Sequence, residues 1–90
     1  MQGYFTPKGS NTDLKINSVK KYIANTDCKH LKMDISSLNP LEASKIVALS
    51  STNHYLKYPK GILDCIVKSK NIIDLVKPLI LGNVRFLTKA

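Results

Sequence analysis

Strand-like and helix-like hydrophobic periods take turns along this whole chain, and that alternation limits the folds open to it more than any other feature. Leu31-Lys32-Met33-Asp34-Ile35-Ser36 alternates apolar and polar side chains with a period of two, which turns Leu31, Met33 and Ile35 to one face of a strand. Asn39-Pro40-Leu41-Glu42 then marks a helix start. Asn39 can accept a first-turn amide, Pro40 loses nothing at the first helical position, and Glu42 is placed to return a bond to the cap's own amide. The helix is predicted to run through Ala43, Ile46, Val47, Leu49 and Leu56 and to stop before Pro59, because proline clashes with a continuing helix. Pro59-Lys60-Gly61 is turn chemistry, and the β-branched run Ile62 to Val67 is the next strand.

The two flanks repeat the pattern. Tyr4-Phe5 suggests a short strand, the turn formers Pro7 to Asn11 a loop, and Val19, Tyr22 and Ile23 a helix from about Asn17. On the other side Ile72, Ile73, Val76 and Leu79 repeat at helical spacing. That helix is entered at Ser69 or Asn71 and closes near Pro78 with Gly82 as its C′ residue; Val84-Arg85-Phe86-Leu87 is a closing strand. The expected fold is α/β: a single small domain with a mostly parallel four-stranded sheet and helical crossovers. Residues 1–13 are read as a short N-terminal strand and loop, and residues 14–90 as the α/β domain proper.

Ninety residues enclose one core, and 43% hydrophobic with 22% charged residues is an ordinary globular balance. The formal charge is +8, from 14 basic against 6 acidic residues. Such an excess suits an acidic partner: nucleic acid, anionic lipid or the acidic face of a protein. All but Arg85 of the basic residues are lysines, scattered along the chain, so the fork that reads phosphate and guanine is nearly absent, and a plainly solvated surface remains an alternative to a functional basic face. Cys28 and Cys65 lack any CxxC or histidine spacing for zinc and are read as free thiols suited to a reducing cytosol. The N-terminal segment has no secretory pattern, and no apolar run approaches the ~20 residues of a membrane helix. A cytoplasmic protein without membrane insertion is expected.

Several strings, in their order, resemble the STAS domain, the module of anti-sigma-factor antagonists and sulphate-transporter tails. Asp34-Ile35-Ser36 is similar to the Asp-Leu-Ser that ends a strand in that family, Glu42-Ala43-Ser44-Lys45 stands where the family's Asp-Ser-Ser-Gly loop follows, and Leu79-Ile80-Leu81-Gly82-Asn83-Val84-Arg85-Phe86 is similar to its later Gly-Leu string and Phe-containing strand. The likeness spans roughly residues 14–88. It implies a STAS-like strand and helix order and a regulatory domain that docks to a protein partner. Ala43 stands at the family's phosphoacceptor serine and Lys45 at its glycine, which implies a domain without the serine phospho-switch. The front of the chain is short for the family, which implies a smaller sheet or an edge that another chain covers.

The candidate partner-binding residues are Ser36, Ser37, Asn39, Leu41, Glu42, Ser44 and Lys45, gathered at the start of the longest helix. The free amides there suit an anion or a partner's carboxylate, whereas a capping box with Glu42 would occupy the site from within. His30 and His54 have no sequence neighbour that suggests a base or a ligand. Ser50-Ser51-Thr52 is read as small hydroxyl residues that bond to the preceding turn and permit close packing, and Tyr55, Lys57 and Tyr58 as helix-end packing or a weak base-stacking cluster. No phosphate loop, carboxylate pair or nucleophile-base motif is present in the sequence, so no enzyme activity, cofactor or metal is expected. The leading expectation is a STAS-like protein-interaction domain with a protein partner, homo-oligomerisation staying open. The alternative is a small basic nucleic-acid-binding protein, and a third reading is a vestigial or membrane-surface-attached subunit of a larger complex.

Overall fold

The computed structural model describes residues 2–88. Its elements are β1 (Gln2–Phe5), α1 (Thr12–Asn25), β2 (His30–Asp34), α2 (Pro40–Lys57), β3 (Ile62–Val67), α3 (Lys70–Val76), a 3-10 turn (Lys77–Leu79) and β4 (Val84–Thr88). The four strands form one sheet in the order β1-β2-β3-β4, parallel throughout. Met1, Lys89 and Ala90, at the ends of the two segments expected from sequence, lie outside the described residues.

Each crossover leads to the next strand along the sheet, and crossovers of one hand in one direction place their helices on one face. A single core records this. Val19 and Ile23 of α1, Ile46 and Val47 of α2, and Ile72 and Val76 of α3 pack with Leu31, Met33, Leu63, Cys65 and Val67 of the central strands. Met33, Ile46, Val47, Leu63, Cys65, Val67 and Val76 are completely buried. The alternation in β2 therefore has the predicted sense, with Leu31, Met33 and Ile35 turned under the helices.

Asn39 caps α2 by accepting the Glu42 amide at 2.9 Å, and Pro40 opens the helix. Two element ends depart from the sequence reading. α1 begins at Thr12 rather than near Asn17, because Asn11 accepts the Leu14 amide at 2.9 Å and caps a turn that the apolar spacing alone did not register. A boundary between residues 13 and 14 thus falls inside the first turn of α1, and β1 belongs to the same sheet as the later strands. Gly82 is not the C′ residue: α3 tightens into the 3-10 turn at Lys77–Leu79, and Gly82 does not take a positive φ.

Gly61 is a position where close backbone approach demands glycine. A Cβ there would stand 2.5 Å from the Lys29 carbonyl oxygen and 2.9 Å from both His54 and Tyr58. The turn it occupies brings the end of α2 against the start of β2, where the Ile62 amide donates to the Lys29 carbonyl. Lys57 ties the same end of α2 to α1, donating its ammonium hydrogens to the carbonyls of Ile23, Ala24 and Thr26. These are unsatisfied carbonyls at a helix C-terminus, where a cation is favourable.

Candidate functional site

The α2 corner is built by Asp34. Its Oδ1 accepts the Ser36 amide at 2.9 Å and the Ser36 hydroxyl at 2.6 Å, a local turn that swings the chain from β2 into α2. Ser36, Ser37, Asn39 and Pro40 then face Lys68, Ser69 and Ile72 across a cleft of about 660 Å3 at the carboxyl ends of β2 and β3. Open α/β sheets commonly take their ligands there. Ser37, Asn39 and Lys45 are exposed, and Leu41 is 65% exposed.

Two of the expected site residues are committed to the fold. Ser44 is buried, and its hydroxyl donates to the Leu41 carbonyl at 2.8 Å. Glu42 reaches mainly across to α1, accepting from Lys15 Nζ and Thr12 Oγ1, each at 2.9 Å. Those two bonds hold its carboxyl below the usual range, with the Asn39 amide the smallest contributor, so the return limb of the expected capping box is subordinate to a bridge between helices. The early start of α1 places Thr12 and Lys15 at that bridge. Ala43 is buried in the core and faces away from solvent.

On the face of the sheet opposite the helices, the structure assembles a second group that the sequence reading did not connect. Strand alternation turns Tyr4, His30, Lys32, Asp34, Ile62, Asp64, Ile66, Arg85 and Leu87 to this face. At its centre Asp64 is only 3% exposed. Its Oδ1 accepts from Arg85 Nε at 2.8 Å and its Oδ2 from Arg85 Nη2 at 3.1 Å, a bidentate fork, while His30 Nε2 also meets Oδ2. The Arg85 bonds hold the Asp64 carboxyl below its ordinary range against the opposing effect of burial, with His30 adding to them. Asp64 in return raises the Arg85 guanidinium.

Toward the carboxyl end of this face the Tyr4 hydroxyl donates to Asp34 Oδ2 at 3.0 Å, which raises the phenol above its ordinary value. Asp34 thereby joins the open face to the α2 corner, since its other oxygen holds Ser36. The Asp64 carboxylate, held in this way, keeps its charge at neutral pH, and Tyr4 keeps its proton. The arrangement is suited to presenting fixed charges among the apolar Ile62, Ile66 and Leu87. The signal available in the sequence was a charge inside an apolar strand: Asp64 interrupts Ile62 to Val67 and needs a partner on a neighbouring strand.

The remaining sequence candidates have structural employment. His54 is buried with Nε2 against the Cys28 carbonyl at 3.1 Å, and burial lowers its pKa. Ser50 donates to Met33 Sδ, Ser51 bonds Asn83 Oδ1 and accepts the Leu81 amide, and Thr52 alone of the three bonds back to the preceding turn, at Ala48. Packing is thus the role of the Ser50-Ser51 pair. Tyr58 donates to Asp27, which pushes its hydroxyl up to about 12, so Tyr58 and Lys57 anchor the end of α1. Cys28 and Cys65 are free and buried, and burial pushes the Cys65 thiol up to about 12.

Among the described residues no three His, Cys, Asp or Glu side chains are grouped to hold a metal ion, and no helix is long and apolar enough to cross a membrane. Comparison with protein-family models, with curated proteins and with solved structures finds no match to this chain.

Proposed function

We propose that this chain is a non-catalytic, STAS-like protein-interaction domain whose partner closes the open face of its sheet and reaches over Asp34 onto the α2 corner. One observation carries the reading: the sheet is wholly parallel yet has helices on one face only. Parallel sheets belong almost entirely to proteins in which both faces are covered. A partner supplies the second layer. The open face offers it three aliphatic side chains, Ile62, Ile66 and Leu87, around the paired charges of His30, Asp64 and Arg85 at its centre.

The resemblance of Asp34-Ile35-Ser36 and of Leu79 to Phe86 to STAS strings supports a regulatory docking role, and buried Ala43 supports one without a serine phospho-switch. Ser37, Asn39, Leu41 and Lys45 form the adjoining part of the proposed contact. The +8 charge favours a partner with acidic groups at its rim.

The test is capture from cell extract at roughly 0.15 M salt, the physiological ionic strength, by the wild-type chain beside Ile66→Lys. A protein held by wild type and lost on Ile66→Lys supports the reading. If instead nucleic acid is retained, with an affinity that falls steeply between low and physiological salt, the basic nucleic-acid-binding alternative replaces it.

A further inference from the structure

The two edges of the sheet are finished differently. β1 is four residues long, is followed by buried Pro7, and has its Phe5 ring stacked on Tyr22 of α1 at 4.4 Å between centroids. Short strands, proline and a covering helix are the usual protections of an edge. β4 has none of them. The Leu63 amide donates to the Asn83 carbonyl, so the parallel ladder takes up the amides of Arg85 and Leu87 and leaves those of Val84 and Phe86 pointing outward. On the helix side Val84 and Phe86 are only half-buried, whereas Leu63, Cys65 and Val67 of β3 are completely buried. The short α3 stops before it can roof β4. An apolar groove of about 410 Å3 remains beside the strand, lined by Ile73, Lys77, Ile80, Leu81, Val84 and Phe86. Leu81, within that lining, is 42% exposed.

We propose that β4 and α3 form the interface through which two copies of this chain associate about a two-fold axis, β4 pairing antiparallel with β4 of the second copy. A second copy is the fitting occupant for two reasons. An antiparallel pair about a dyad satisfies the outward amides and carbonyls of both edges at once, and an isologous contact needs a self-complementary patch. The patch is self-complementary in charge: α3 exposes Asp74 between Lys70 and Lys77, and Asp74 has no ion pair among the described residues. The two α3 helices, running antiparallel across the axis, offer each Asp74 a lysine of the other copy. Burying about a tenth of each copy's 5323 Å2 of surface would just clear the ~1,000 Å2 that separates a specific interface from an incidental contact. The dimer is accordingly weak, with a dissociation constant of roughly 10 μM to 1 mM. It would form a continuous eight-stranded platform, and it stands independently of the reading of the open sheet face.

Sedimentation equilibrium of the full chain across that concentration range tests the proposal. A monomer–dimer equilibrium is expected, and Leu81→Glu, a change at an exposed site in the groove, should raise the dissociation constant about tenfold or more. Val84→Pro, which removes one outward amide while leaving the ladder to β3, should do the same. Ile66→Lys should leave the dimer unchanged. A chain that is monomeric at ~1 mM, or a dimer indifferent to both Leu81→Glu and Val84→Pro, would overturn the proposal.

Discussion

The same substitution at two glycines should move stability in opposite directions. At Gly61 a new Cβ would lie 2.5 Å from the Lys29 carbonyl oxygen and 2.9 Å from Tyr58 Cβ, so two of its three near neighbours are backbone or directly attached to it. Neither can rotate away. Relieving the overlap requires the turn to separate from β2, at the point where the Ile62 amide donates to Lys29. Overpacking of this kind costs about 1–3 kcal/mol, offset by the ~0.4–1 kcal/mol that alanine gains by restricting the unfolded chain. Gly61→Ala should therefore lose about 1–2 kcal/mol. Gly82 has open space around it and no positive φ, so Gly82→Ala keeps only the favourable contribution and should gain up to ~1 kcal/mol. For a domain of this length each kcal/mol is worth roughly 4–8 °C in Tm. Parallel thermal and urea unfolding of the two variants should thus find Gly61→Ala below wild type by about 5–15 °C and Gly82→Ala level with it or above. A Gly61→Ala protein as stable as wild type would refute the close approach of the turn to β2.

Asn39→Ala should cost ~1 kcal/mol in urea unfolding, because the Glu42 amide loses its acceptor; an unchanged midpoint would show that Glu42 and its α1 partners hold the helix start unaided. His54 titrates at about 6.5 in the unfolded chain, and burial lowers its pKa in the folded one. Below about pH 6.5 the unfolded chain binds a proton that the native state refuses, so this contribution to stability is intact above 6.5 and is lost as pH falls toward the lowered native value. Wild type should lose stability faster than His54→Gln on acidification from pH 7 to 5, by no more than about 1.4 kcal/mol per pH unit. Equal pH slopes for the two proteins would mean that His54 charges without penalty.

The fold was readable where local chemistry and tertiary contacts agree. Leu31, Met33 and Ile35 are spaced for one strand face and meet one core, and Asn39-Pro40 starts a helix that packing then keeps. It was less readable where a cap worked without an apolar period behind it, as at Asn11, and where a helix tightened into a 3-10 turn, as at Lys77–Leu79. Of the seven candidate residues, Ser36, Ser37 and Asn39 line a cleft at the end of the sheet. Ser44 faces inward because its place in the turn, not its residue type, decides its direction. The open face was hidden for a different reason. His30, Asp64 and Arg85 are far apart in sequence and meet through strand order and register, which periodicity within single segments does not encode.

The central claim is that a protein partner covers the open face, and site-specific photo-crosslinking tests it most directly. Tyr4 lies on that face at 58% exposure, at the far side of the sheet from β4, with room for an aromatic photoreactive replacement; Thr52 lies exposed on α2 as the control position. In extract at roughly 0.15 M salt, the probe at residue 4 should yield one discrete protein adduct that competes with unlabelled wild type and not with Ile66→Lys. The probe at residue 52 should yield none. Equal adducts from both positions, or adducts at residue 4 made only of nucleic acid, would contradict the account.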